Sequence, residues 1–60
     1  MTPEEAARIF QDLTSGVSHA GWVAHRRQNN DVLVGPGGQV WKRGLASDST
    51  WFKADRDEEA

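Results

Sequence analysis

The hydrophobic period of this chain changes once, at Gly21, and that change restricts the fold more than any other feature. Before it, Ala6, Ile9, Phe10, Leu13, Val17 and Ala20 recur at helical spacing and gather on one side of a helix, with Arg8, Gln11, Ser15 and His19 opposite. Thr2-Pro3-Glu4-Glu5 carries the chemistry of a helix start. Thr2 is placed as N-cap, Pro3 at the first helical position, and Glu5 where its carboxylate reaches back to the Thr2 N–H. The spacing predicts one amphipathic helix over Pro3–Ala20, with Gly21 as its left-handed stop. Thr14-Ser15-Gly16 is its weak stretch, because a mid-helix Gly costs about 1 kcal/mol relative to Ala, and an end near Thr14 is the alternative.

After Gly21 the pattern is that of short strands and tight turns. Trp22–Arg27, Asp31–Gly35 and Gln39–Arg43 read as strands. Asn29-Asn30 suits a hairpin turn with positive φ, and Gly35-Pro36-Gly37-Gly38 a type II turn with Pro at its second position and Gly at its third. Two turns in succession make an antiparallel meander. Gly44–Ser49 is a loop in which Ser47 or Asp48 could cap a short second helix, but the acids that follow would sit at that helix's negative end. Thr50–Ala54 instead alternates as a fourth strand. The expected fold is α+β, with one helix on a three- to four-stranded antiparallel sheet over residues 1–54. A frayed acidic tail follows over 55–60. The helix stripe is expected to cover the face of Val32, Val34 and Val40, leaving some of Trp22, Leu33, Trp41, Trp51 and Phe52 on the other.

Composition narrows the function classes. Sixty residues make one domain, and one this small buries only about 60% of its unfolded surface. With no Cys there is no disulfide and no thiolate metal site. The chain therefore needs well-formed local structure or a partner over part of its apolar surface. No apolar run approaches the ~18 residues of a membrane span, and the acidic start does not suit a signal peptide; the expected location is cytoplasmic. His19 and His25 stand without a second ligand at metal spacing, and no Ser lies in a nucleophile motif, so no catalytic residue, metal or cofactor is assigned. The Gly35–Gly38 run lacks the Lys-Ser/Thr ending and following helix of a phosphate loop.

The chain carries a net charge of −2, yet its charges are segregated. Between Gly21 and Ser47, Arg26, Arg27, Lys42 and Arg43 face only Asp31 in number, and Trp41 lies beside Lys42 in the chain. These five residues at the strand ends are the candidate nucleic-acid contacts, offering cations for phosphate and a ring for stacking. Trp22, Trp51 and Phe52 are the candidate protein-interface residues, because spare rings on so small a sheet mark a docking face.

The order helix, three-stranded meander and further element resembles the HicA-like toxin family, small domains of the double-stranded-RNA-binding type with α-β-β-β-α order. Ala20-Gly21-Trp22 is similar to that family's glycine–aromatic junction, Arg26-Arg27 to its basic strand end, and Gly44-Leu45-Ala46-Ser47-Asp48 to a stretch before its last helix in phage-borne relatives. Active members carry a His where the second strand begins. Here Asn29-Asn30-Asp31-Val32 stands there, and His25 is on the preceding strand. The resemblance thus implies a ribonuclease fold with a degenerate active site, retaining a binding role, and a terminal helix in place of the fourth strand. Taken together, the residues favour a non-catalytic interaction module, an inhibitor or adaptor of the phage or mobile-element kind, docking on a protein or on a second copy of itself. Nucleic-acid association is the alternative.

Overall fold

The computed structural model describes residues 1–56. Helix α1 spans Pro3–Thr14, followed by strands β1 (Val23–Arg26), β2 (Asn30–Val34), β3 (Val40–Gly44) and β4 (Phe52–Ala54), with one 3₁₀ turn at Pro36–Gly38. The sheet is an antiparallel meander in the order β1-β2-β3-β4. The expected fourth strand is present, and it stands where the family resemblance implies a helix. The acidic tail lies outside the described residues from residue 57 onward.

The helix starts as its capping chemistry dictates. The Thr2 N–H donates to the Glu5 carboxylate at 3.0 Å and the Glu5 N–H donates to the Thr2 hydroxyl at 3.2 Å. It ends at Thr14, not at Ala20. Gly16, at φ 99°, takes the left-handed position expected of Gly21. Around it the Val17 N–H reaches the Asp12 carbonyl at 2.8 Å and the Gly16 N–H the Leu13 carbonyl at 3.4 Å, the two bonds of a Schellman motif. The Thr14 and Ser15 hydroxyls also donate to carbonyls of the last turn, competing with further helix. Val17, consequently, is exposed rather than part of the buried stripe.

The first hairpin turns through Gln28 and Asn29, closed by the Arg27 N–H on the Asn30 carbonyl at 2.8 Å. Among the described residues no non-glycine has positive φ, so Asn29 and Asn30 do not adopt the expected conformation. At the second connection Gly37 sits at φ 79°, ψ 13°, matching the third position of a type II turn. Gly35 there has ordinary extended φ, and its role is close approach. A Cβ at this position would fall 2.5 Å from Trp22 Cη2 and 2.8 Å from Gln39 Oε1. Gly35→Ala is therefore expected to destabilise the fold by about 1–2 kcal/mol through overpacking, read as a lowered urea midpoint. An unchanged midpoint would show that the Trp22 ring yields freely.

The core corrects one expectation. Leu33 and Trp41 pair across β2 and β3 and point towards the helix, where Ala6, Phe10 and Trp51 complete a buried cluster edged by Ala7, Ile9, Leu13, Trp22 and Ala24. Val34 and Val40 form the next cross-strand pair, and strand alternation turns them, with Val32, to the other side. The helix covers the Leu33–Trp41 face, not the valine face. Aromatic side chains bury ~150–250 Å² each, so enclosing Trp41 and Trp51 with Phe10 removes more apolar area from water than enclosing three valines.

Candidate interaction surface

Because side chains alternate along each strand, the register sorts the sheet into two faces. On the helix side lie Ala24, Arg26, Asp31, Leu33, Trp41, Arg43 and Lys53. Here the cations close the rim of the core. The Arg43 guanidinium donates to the Asp31 carboxylate at 2.6 Å, and its carbon stands 4.9 Å from the centroid of Trp51 and 5.5 Å from that of Phe10. Arg26 reaches the Phe10 ring from the other edge at 6.0 Å. Cations over ring faces at such distances contribute about 0.5–2 kcal/mol, more as they are desolvated. The Phe10 and Trp51 rings themselves meet at 5.0 Å with a 50° tilt. The buried Trp51 Nε1 has no hydrogen-bond partner among the described residues.

The opposite face is built from two cross-strand rows, Val23–Val34–Val40–Ala54 and His25–Val32–Lys42–Phe52, and the Asn30–Gly44 pair beyond them. Val32 and Val40 are buried between their neighbours, while Val23 and Phe52 each keep half of their surface exposed. The single helix of the described residues lies on the other side, so no element of secondary structure covers these rows. A hollow of about 670 Å³ opens at one end, lined by Asn30, Lys42, Phe52, Ala54, Asp55 and Arg56.

This arrangement divides both residue sets singled out from the sequence. Of the nucleic-acid candidates, Arg26 and Arg43 stand on the helix side, Lys42 on the open face, and Arg27 half-buried in the first hairpin. Trp41 is in the core, with its ring covered. Of the interface candidates, Trp51 is also in the core, Trp22 is half-buried against it, and Phe52 alone lies on the open face. Half-exposed Val23, and partly exposed Val34, which was expected under the helix, add apolar surface to that face outside both sets. Its signal was the period-2 spacing of Val23 with His25 and of Val32 with Val34.

The histidines have separate surroundings. His19 Nε2 lies 2.8 Å from Asp12 Oδ2, tying the loop after α1 back to the helix end, and His25 belongs to the open face. No group of three or more His, Cys, Asp or Glu side chains is placed to hold a metal among the described residues. No helix there is long and apolar enough to cross a membrane. No protein-family model, curated protein or solved structure matches the chain.

Proposed function

We propose that this protein is a small non-catalytic interaction module, an inhibitor or adaptor, that docks through the sheet face opposite its helix. One observation carries the reading: half-exposed Val23 and Phe52, with partly exposed Val34 and Ala54, spread apolar surface over a sheet face shared with His25 and Lys42, and no helix among the described residues covers it. Contiguous apolar surface on a small protein marks a site of association. A photo-reactive residue at position 23 is expected to give a discrete adduct in extract of the source cells, and Phe52→Asp to reduce that adduct about tenfold. The same probe at exposed Arg8 on the helix should give none. Equal labelling from both positions, or none from position 23, would refute the reading.

Nucleic-acid association is the second reading. It draws on the Lys42–Phe52 pair, a cation beside an exposed ring, with His25 in the same row. It ranks behind because Arg26 and Arg43 are engaged with core rings and the net charge is −2. Salt-sensitive binding of a labelled oligonucleotide, lost in Lys42→Glu, would put it first.

A further inference from the structure

We infer that the occupant of the open face is an amphipathic helix of another protein, with carboxylates flanking its apolar stripe; this rests on the docking reading above. Size is the first argument. Four strands ~4.8 Å apart span ~14 Å, and a helix with its side chains is ~10–12 Å across. The twelve-residue α1 already covers the reverse face of the same sheet in this way. The edge strands, of four and three residues, offer only short ladders to an added strand.

Charge is the second argument, and it selects among partners. Asp31 is the only carboxylate in the four strands, and it lies on the helix side bonded to Arg43. The open face presents Lys42 near its centre, with no carboxylate in either row to balance it. At the rim, Asp55 is offset by Arg56. A second copy stacked on this face would bring the Lys42 ammonium groups of the two copies towards each other in the seam, which disfavours the pairing. A nucleic acid would find one ring and one lysine among Val23, Val34 and Ala54, where base stacking requires several aromatic surfaces. An apolar helix face bordered by Asp or Glu satisfies both rows at once: its stripe meets Val23, Val34 and Phe52, the apolar side chains that remain accessible, and its border meets the Lys42 ammonium.

The test is selection on the full chain from a display library of amphipathic helices about 15 residues long, with a constant apolar stripe and randomised flanks. Selected helices are expected to carry Asp and Glu beside the stripe at about three times their input frequency or more. On Lys42→Glu protein the preference should reverse towards Lys and Arg. Amide shift changes should centre on Val23, Val34 and Phe52. The inference is overturned if no helix is enriched, if flank charge is unaffected by Lys42→Glu, or if the shifts map to α1 or the sheet edges. It is also overturned if the chain instead dimerises through this face, or binds oligonucleotides through it. A negative selection beside a positive adduct from position 23 would reject the acidic helix and leave the docking face standing.

Discussion

Phe10→Ala is expected to abolish cooperative folding. The ring is almost wholly buried, meets Trp51 at 5.0 Å, and supports the guanidinium groups of Arg43 and Arg26 on its faces. Truncating a buried Phe costs about 3–5 kcal/mol, whereas a chain of 60 residues has about 3–9 kcal/mol of stability altogether. With an m-value of about 1 kcal/mol per molar urea, the midpoint should fall by about 3 M or the transition should disappear. Near-UV circular dichroism of the buried indoles is the natural readout. A midpoint within about 0.5 M of the parent would mean that α1 is dispensable to the sheet, and the two-layer account would fail.

The second large effect lies at Asp31. Its side chain is 14% exposed and holds Arg43 at 2.6 Å, while Arg43 stacks on two rings of the core. Asp31→Ala leaves a largely covered cation without its carboxylate. The expected loss is about 1.5–3 kcal/mol, the range for hydrogen bonds to charged groups, or roughly 10–20 °C in Tm for a domain of this size. Adding Arg43→Met should recover part of that loss, because the apolar replacement removes the stranded charge while still packing on Phe10 and Trp51. Lys42→Glu, on the open face, should leave the unfolding free energy within about 0.5 kcal/mol of the parent, so binding defects there are separable from folding. If the Asp31 and Arg43 changes simply added, the pair would contribute nothing as a unit.

What could be read from the residues follows the range of the forces involved. The helix start was legible because Thr2, Pro3 and Glu5 settle their hydrogen bonds within one turn. The meander was legible because Pro36 and Gly37 specify their own turn, and the last strand because alternation at Thr50–Ala54 outweighed a weak cap signal. The helix end was ambiguous because Gly16 and Gly21 both suit a left-handed stop, and both do take positive φ. Choosing between them requires knowing whether Val17 finds a surface to bury against, and it finds none. Which sheet face the helix selects was not local at all, since it compares apolar areas brought together only by the final register. The supposed basic cluster shows the same limit more simply. Lys42 and Arg43 adjoin in the chain, and for that very reason a strand sends them to opposite sides.

The plain order of the sheet has a kinetic consequence. Each strand pairs only with its neighbour in sequence, so the sheet closes through short connections, and the distant segments that must meet are α1 and Trp51. Barriers set by loop closure are low for such wiring, which places the expected folding time well below a second. A chain with a thin thermodynamic margin would then regain its native form quickly after each excursion, limiting the interval in which its indoles are open to aggregation or proteases.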